Sequence, residues 1–231
     1  MTLEQDSWLG VRLGMPAYRL HVGPAASGAP SLPRGAFVYA KVPAEHAAAV
    51  ELLEDAGFHL VDTNVRFARD HRRDAPRPSV AVRTALPADE TAVADVAAGG
   101  FGYSRFHLDP RVPQAVADRI KGDWVRSWFA GRRGDAMLVA EVEGRVAGFC
   151  QVLRTDTAAV IDLIAVARLA RGRGVARALL GAVDALPWEV ERVEVGTQVA
   201  NVPSVRLYES DGFRLIGAEY VLHRHPPKGE A

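Results

Sequence analysis

The stretch that most constrains the fold covers residues 158–180. An apolar run at 160–166, interrupted only by Asp162, is typical of a strand buried on both faces. A basic, glycine-containing turn follows at 168–174. The apolar residues beyond it recur at helical spacing: Val175, Ala176, Leu179 and Leu180. Because a helix N-terminus after a glycine turn offers free N–H groups and a favourable dipole, this stretch predicts a phosphate-binding site.

Three sequence patterns of phosphate-binding loops are relevant to this turn. A P-loop needs Gly-x-x-x-x-Gly-Lys-Ser/Thr, which occurs nowhere in the sequence. A dinucleotide fingerprint needs a third glycine where this chain has Arg177. The third pattern, Arg-x-x-Gly-x-Ala, is met by Arg171, Gly174 and Ala176. It resembles the acyl-CoA pyrophosphate loop of the GNAT N-acetyltransferases, although a basic turn that merely caps a helix is a plainer alternative.

Charge and cysteine content exclude several classes of function. The chain has 28 basic and 28 acidic residues, so no overall field favours nucleic acid or a membrane surface. Its single cysteine, Cys150, cannot form an internal disulfide and is expected in the core. No targeting pattern or membrane-spanning window is recognisable, so we expect a cytoplasmic enzyme.

The pattern before residue 80 predicts a small N-terminal unit. We expect a helix at 44–56 that ends at Gly57, and a linker at 70–79. Strands are expected at 8–15, 18–22, 37–42 and 58–68. The sequence therefore predicts a partial module at 1–75 and a catalytic domain at 76–231.

Beyond residue 79 the element order becomes regular. The expected order is β-α-α-β-β-β-α-β-α-β, with a hairpin turn at Glu143-Gly144. The corresponding segments are 80–83, 88–98, 113–130, 135–142, 145–153, 158–166, 175–186, 193–197, 203–210 and 213–222. This order resembles that of the GNAT fold across residues 79–224. The resemblance implies an α/β (α+β) fold class, with a central mixed, mostly antiparallel sheet flanked by helices.

A partial repeat links the two predicted units. Residues 52–58 and 207–213 share leucine, glutamate, glycine and phenylalanine at equivalent positions. Gly57 and Gly212 are 155 residues apart (212 − 57). We interpret residues 1–75 as a GNAT-like half-module without a cofactor site, with chance similarity of two helix ends as the alternative.

The GNAT resemblance assigns roles to the residues around the turn. A second signature, Asn-x-x-Ser-x-x-x-Tyr, implies that Tyr208 protonates the departing thiolate. The main chain at 164–166 would hold the pantetheine arm, and one of its N–H groups would polarise the thioester carbonyl. The implied acetyl-CoA contacts are Ile164, Ala165, Val166, Arg171, Gly172, Arg173, Gly174, Val175, Ala176, Arg177, Asn201 and Ser204. Helix capping by Asn201 and Ser204 and core packing of Tyr208 are the alternatives.

No side chain is an obvious general base. Asp162, Glu194 and His107 are candidates, and GNAT enzymes often remove the proton through a water chain instead. No metal is predicted.

The segment 101–109 is dense in aromatic and polar side chains and lies where the GNAT fold places its acceptor loop. Its Ala-x-x-x-Phe-x-x-Ser-Arg-Phe pattern resembles the dTDP-fucosamine N-acetyltransferases. That resemblance implies an amino-sugar acceptor, although the longer turn at 168–173 and His107 depart from the pattern. The implied acceptor contacts are Tyr103, Ser104, Arg105, Phe106 and His107.

We therefore expect an enzyme that acetylates a small-molecule amine, most plausibly on a nucleotide-linked amino sugar, without a nucleic-acid or membrane partner. Two alternatives stay open. One is acetylation of an antibiotic, a polyamine or a protein N-terminus. The other is a non-catalytic acyl-CoA sensor, against which the intact Tyr208 argues. The sequence does not decide between a monomer and a homodimer.

Overall fold

A computed structural model describes residues 1–24, 26–72 and 80–227 of the 231-residue chain. Ten strands form one sheet in the order β1-β2-β3-β10-β4-β9-β8-β7-β6-β5. Their bounds are β1 Thr2–Gln5, β2 Ala17–His21, β3 Phe37–Pro43, β4 His59–Asp70, β5 Ala81–Thr84, β6 Ala136–Val142, β7 Arg145–Arg154, β8 Ala158–Val166, β9 Arg192–Gln198 and β10 Arg214–Arg224. The β2–β3 and β8–β9 pairs are parallel and the others antiparallel, so the predicted mixed, mostly antiparallel sheet is confirmed.

Helices cover both faces of this sheet. They are α1 Ser7–Leu13, α2 Ala47–Asp55, α3 Glu90–Gly100, α4 Arg105–Leu108, α5 Gln114–Phe129, α6 Val175–Asp184 and α7 Val202–Ser210. Apolar residues of α3 and α5 pack on β6, β7 and β8 from one side, with Phe149 fully buried between them. The helices α6 and α7 pack on the opposite side, where Leu179 is fully buried. Within the described residues, no helix combines the length and apolarity needed to cross a membrane.

Three local predictions are corrected by the structure. Most of the loosely alternating segment 8–15 belongs to the helix α1, because Asp6 accepts a hydrogen bond from the Leu9 N–H at 2.9 Å and left-handed Gly14 ends the helix. The segment expected as a loop at 101–109 contains the short helix α4. The expected linker at 70–79 begins on the last residue of β4, and residues 73–79 lie outside the described residues.

The Glu143-Gly144 hairpin prediction is confirmed. Both residues have positive φ angles, 54° and 71°, and Val142 pairs with Arg145 across the turn. Two consecutive left-handed residues match the twist of the flanking strands, which is why a glycine at the second position suits this turn.

The same element order occurs twice, with one strand of each copy exchanged. Parallel β2 and β3 are followed by α2 and β4, just as parallel β8 and β9 are followed by α7 and β10. However, β4 pairs with β9 of the second copy, and β10 pairs with β3 of the first. The division at residues 75 and 76 stays a prediction, because one sheet runs through both parts.

The pairing of β4 with β10 has its own symmetry. Arg214 pairs with Ala68, and His223 pairs with His59. The repeat offset of 155 residues (212 − 57) relates Ala68 to His223 and His59 to Arg214, so the two pairs are equivalent. A pseudo-two-fold axis therefore passes between β4 and β10, and the sequence repeat has a structural counterpart.

A buried ion-pair network fixes β4 to the helices of the second copy. Arg69 binds Asp184 through both terminal nitrogens, at 2.8 and 2.6 Å, and its Nε lies 3.1 Å from Asp211. The Arg69 and Asp184 side chains are 3% and 0% exposed. Such a bidentate pair keeps each buried charge compensated, so removing one partner leaves an unpaired charge in the core.

We predict that Arg69→Ala lowers the free energy of unfolding by about 3–5 kcal/mol, because Asp184 then stays buried without its partner. Arg72→Ala is the matched control, since Arg72 contacts the same Asp211 but is 41% exposed. That control should cost less than about 1 kcal/mol in urea titrations. Equal small losses in both variants would contradict the structural role of Arg69.

Candidate active site

The parallel strands β8 and β9 separate partway along their length. Their pairing covers only Ala158–Ile161 and Arg192–Val195. Beyond Ile161, β8 continues to Val166 and is paired only with β7 on its other side. A cleft of about 1510 Å³ opens at this separation, and the predicted contacts Ile164, Ala165 and Val166 lie on its wall. Main-chain groups on this edge of β8 can therefore hydrogen-bond a ligand.

The turn that follows β8 has the backbone geometry of an anion site. Gly172 and Gly174 adopt φ angles of 77° and 81°, which glycine accepts without strain. Gly174 is also the N-cap residue of α6, and no side chain of the described residues caps this end of the helix. The first N–H groups of α6 are therefore available at the cleft, where Gly172, Gly174, Val175 and Ala176 all line the wall.

The arginines of the turn differ in their contacts and in whether they line the cleft. Arg171 lines the cleft and donates to the carbonyls of Val166 and Gly100, at 3.3 and 3.2 Å. Arg177 also lines it, with Nη2 3.2 Å from the Ser210 hydroxyl. Arg173, in contrast, pairs with Glu143 at 2.8 Å and does not line the cleft. The structure thus places two of the three predicted arginine side chains at the site.

The helix α7 supplies the second signature. Asn201 begins it, accepting from the Ser204 N–H at 3.4 Å and donating to the Thr197 hydroxyl at 3.1 Å. Asn201, Ser204 and Tyr208 all line the cleft. Asn201 therefore caps the helix, as the plainer alternative held, and lies on the cleft wall as well.

Tyr208 lies at the bottom of the cleft. It is 2% exposed, and its ring packs against Phe67 and Phe213 with centroids 6.0 and 5.7 Å away. Burial raises the pKa of its hydroxyl well above the ordinary value, while a hydrogen bond with Ser204 opposes the shift. The hydroxyl therefore stays protonated at neutral pH, as a proton donor must.

The cleft continues through the sheet to the segment 101–109. We call the part lined by residues 166–177 and 201–208 the turn half. The loop half is the part lined by Arg19 of β2, by residues of β3, β4 and α5, by the 101–109 segment and by Arg132 and Arg133 after α5. Ten basic and six acidic residues line the whole cleft, although the chain is neutral overall. In the loop half, five basic residues make no ion pair with any described residue: Arg19, Arg66, Arg105, Lys121 and Arg132. The loop half is therefore suited to an anionic ligand.

Arg105 is positioned by aromatic rings rather than by a carboxylate. Its guanidinium carbon lies 3.9 Å from the centre of the Tyr39 ring and 4.3 Å from that of Phe106. Its Nη1 is 3.0 Å from Nε2 of His223, whose pKa burial lowers to about 3. A neutral His223 can accept this hydrogen bond. Arg105 makes no ion pair with nearby Asp109, because Asp109 binds His223 and His225 instead.

The other predicted acceptor residues divide into two groups. Tyr103 is 41% exposed and lines the cleft, and buried Ser104 lines it too. Phe106 is only 1% exposed, so it supports the cleft floor as part of a core cluster. His107 does not line the cleft, because its ring is held between the Ser104 hydroxyl at 2.5 Å and Asp118 at 2.9 Å.

The acids considered from the sequence already have partners. Asp162 accepts from Arg133 at 2.7 Å through both oxygens, and from Trp124 and Gln151 at 3.1 and 3.0 Å. Glu194 accepts from Arg192 at 2.5 Å. Each of these carboxylates is therefore engaged with an arginine, and it would have to leave that contact to reach an acceptor amine.

Asp62 is the acid that the sequence analysis missed. It lines the cleft from β4, is 6% exposed, and its Oδ2 is a buried atom without a hydrogen-bond partner among the described residues. Burial raises its pKa to about 6. In the sequence, Asp62 is the one carboxylate within the strand pattern at 58–68. An acid in a predicted strand is the feature that made Asp162 a candidate, and it could have identified Asp62 too.

Lys121 was also missed, because a lysine within the predicted helix at 113–130 gives no sign in the sequence that it is buried. Its ammonium is 4.8 and 4.6 Å from the centres of the Phe101 and Trp124 rings. The side chain is buried, and burial lowers its pKa to about 8. A cation held among aromatic rings at a cleft wall is available to an anionic group.

Sequence comparisons agree with this geometry. The family model described as Acetyltransferase (GNAT) family matches residues 103–213. The spore coat polysaccharide biosynthesis protein SpsD of Bacillus subtilis is 30% identical over 197 residues, covering 83% of this chain and 68% of that protein. The dTDP-fucosamine acetyltransferase of Escherichia coli is 27% identical over 196 residues, covering 81% of each chain.

Solved structures share the fold. A GCN5-related N-acetyltransferase from Sphaerobacter thermophilus superposes with a TM-score of 0.59 at 22% identity, covering 83% of this chain. This chain spans 60% of the length of that structure. A tandem GNAT protein from the clavulanic acid biosynthesis pathway gives a TM-score of 0.57 at 16% identity, covering 82% of this chain and 64% of its own. The predicted fold class is thereby confirmed.

Proposed function

This chain belongs to the acetyltransferase (GNAT) family, and from that membership we propose that it moves an acetyl group from acetyl-CoA to the amine of a nucleotide-linked amino sugar. Attack is direct, within a ternary complex. One observation carries the proposal. One cleft opens at the separation of β8 and β9, with the glycine turn and Tyr208 on one side. On its other side lie basic residues that make no ion pair with any described residue.

The turn half suits acetyl-CoA. The free N–H groups at the start of α6, with Arg171 and Arg177 beside them, would hold the pyrophosphate. The open edge of β8 beyond Ile161 would hydrogen-bond the amide groups of the pantetheine arm, as a neighbouring strand would. An N–H of the same edge would polarise the thioester carbonyl.

Two groups of the cleft would manage the protons. The amine nitrogen attacks the thioester carbon, the carbon–sulfur bond breaks, and the sulfur takes the proton of the Tyr208 hydroxyl. The proton that the nitrogen releases after the attack would return to Tyr208 through solvent. The acceptor amine must lose a proton to attack, and Asp62 is placed to receive it in the loop half. A carboxylate with a pKa of about 6 is ionised at neutral pH and a better base than an exposed aspartate.

The charge of the loop half favours a nucleotide-linked acceptor. A diphosphate brings two negative charges, for which Arg105 and Lys121 can supply counter-charges without losing an ion pair of their own. Tyr103 offers an exposed aromatic face for a sugar or a base. The name of the Escherichia coli relative, a dTDP-fucosamine acetyltransferase, supports the same class of acceptor.

The competing functions fit these observations less well. A polyamine is cationic, and a net positive cleft would repel it. A non-catalytic acyl-CoA sensor has no need for a buried, protonated Tyr208 at the bottom of the cleft. An uncharged amine without a nucleotide remains a candidate that a substrate screen distinguishes.

We expect Gly174→Asp to weaken acetyl-CoA binding about 100-fold or more, because a carboxylate there repels the pyrophosphate. Isothermal titration with acetyl-CoA measures the effect. Gly28→Asp is the matched control, since Gly28 also has a positive φ angle, 75°, and open space around it. Unchanged affinity in Gly174→Asp would remove the turn from the cofactor site.

Tyr208→Phe should lower kcat by about 10²-fold or more while leaving acetyl-CoA affinity nearly intact, because the hydroxyl acts on the leaving group. Release of free thiol reports the rate, and Tyr18→Phe controls for loss of a hydroxyl elsewhere. Wild-type turnover in Tyr208→Phe would assign the proton donor to another group.

The pH profile tests Asp62. Its folded-state pKa is raised, so the base is ionised above about pH 6 and is lost as the pH falls through that value. We expect kcat/KM to decline below about pH 6 in the wild type, and Asp62→Asn to be about 10²-fold slower without that acid limb. The exposed Asp156→Asn should keep the wild-type profile. Persistence of the acid limb in Asp62→Asn would point to a different base or a water chain.

Arg105→Ala should raise KM for a dTDP-linked amino sugar sharply while leaving KM for acetyl-CoA unchanged. Arg105→Lys should recover only part of the loss, because an ammonium lacks the planar fork. The exposed Arg126→Ala on α5 is the control. Small, equal changes in both constants would indicate a structural role, and acetylation of peptides or polyamines with dTDP-amino sugars inert would refute the substrate class.

A further inference from the structure

A second cluster of polar side chains lies outside the cleft. It brings together His59 at the start of β4, Asp109 just after α4, and His225 just after β10. None of the three lines the cleft, so the acyl transfer argued above makes no use of them. One atom from each lies within 4.8 Å of the others.

The two oxygens of Asp109 face different partners. Its Oδ2 is 2.7 Å from Nε2 of His225 and 2.6 Å from Nδ1 of His223. Its Oδ1 accepts from the Arg111 N–H at 2.9 Å and lies 3.8 Å from Nε2 of His59. A separation of 3.8 Å is too long for a hydrogen bond. It is close to the spacing of two ligands that share one ion at about 2.0–2.2 Å from each.

The imidazole ring of His59 has unsatisfied hydrogen-bonding groups. Both of its ring nitrogens are buried atoms without a hydrogen-bond partner among the described residues. A neutral imidazole carries one N–H donor and one acceptor, and leaving both unsatisfied is costly. The ring stacks on that of His225 with centroids 5.6 Å apart, so packing holds it in this position.

We propose that Nε2 of His59, a carboxylate oxygen of Asp109 and Nε2 of His225 bind a single Zn²⁺ ion. Two imidazoles and one carboxylate are ligands that zinc takes at 2.0–2.2 Å, with a further position open to water. The imidazoles disfavour Mg²⁺ and Ca²⁺, which prefer oxygen ligands. The ion would replace the present hydrogen bond between Asp109 and His225. The sequence analysis predicted no metal, because the three ligands are far apart in the chain.

His223 connects this cluster to the cleft. His223 is fully buried, donates from Nδ1 to Asp109 and accepts from Arg105 on Nε2. Carboxylates that bind metals are commonly held by such a second partner. An ion on Asp109 would therefore immobilise the carboxylate that orients His223, and through it Arg105. It would also fasten β4, β10 and the 101–109 segment together.

The test measures metal binding itself and needs neither acetyl-CoA nor an acceptor. The full chain is stripped with a chelator, dialysed, and titrated with Zn²⁺ against a chromogenic chelator. We expect one ion per chain, with affinity lowered by about 100-fold or more in His59→Gln and in His225→Gln. His21→Gln is the control, because exposed His21 pairs only with Glu4, at 2.6 Å. It should bind Zn²⁺ as the wild type does.

Two further readouts make the result independent of variant folding. Co²⁺ bound to the wild type should give the strong visible absorption of a four-coordinate site, and Zn²⁺ should raise the Tm of the wild type but not of His59→Gln. Absence of saturable uptake of either ion by the wild type would overturn the proposal, as would wild-type affinity in His59→Gln. Either outcome would leave a hydrogen-bonded cluster and would not touch the acetyltransferase assignment.

Discussion

The parallel strands β8 and β9 share hydrogen bonds over only four residues each, and the site depends on what happens after Ile161. Main-chain N–H and C=O groups need partners, and those on the free edge of β8 face the cleft instead of a neighbouring strand. Because the glycine turn and α6 follow directly, the end of one strand supplies both an extended hydrogen-bonding edge and an anion site. Tyr208 reaches the same gap from the helix that follows β9.

The exchange of β4 and β10 decides what forms the opposite side of that gap. With β4 beside β9, its residues Asp62, Asn64 and Arg66 become part of the cleft. The first copy of the repeated element order thus contributes wall residues to the cleft. Asp62 owes its raised pKa to this placement, since on an edge strand its carboxylate would be solvated. A neutral chain can therefore carry a positive cleft, because the sheet brings basic residues from distant parts of the chain together there.

Local sequence patterns predicted the helices and strands well, but they did not predict which distant residues come into contact. The 158–180 stretch, the hairpin at Glu143 and the order of elements after residue 79 are encoded by residues close in sequence, and each was recovered. Residues 8–15 were assigned wrongly because alternation over so few residues suits a strand or a short capped helix equally well. Asp62, Lys121 and the pairing of Arg173 with Glu143 depend on contacts between distant segments, which periodicity does not report. His107 looked like a substrate residue for the same reason, since only the packed structure shows that its ring is held by Ser104 and Asp118 and does not line the cleft. Phe106 does line the cleft, but only the packed structure shows that it is almost fully buried there.

The position of β4 also has a consequence for how the chain reaches its native state. This strand is complete at Asp70, yet both of its neighbours in the sheet, β9 and β10, begin only at Arg192 and Arg214. During synthesis β4 leaves the ribosome with two unpaired edges and an apolar face that carries Val65 and Phe67. Non-local pairings of this kind slow folding and expose strand edges to association with other chains. The sheet can close only after the C-terminal strands have been synthesised, so the cleft cannot form before then.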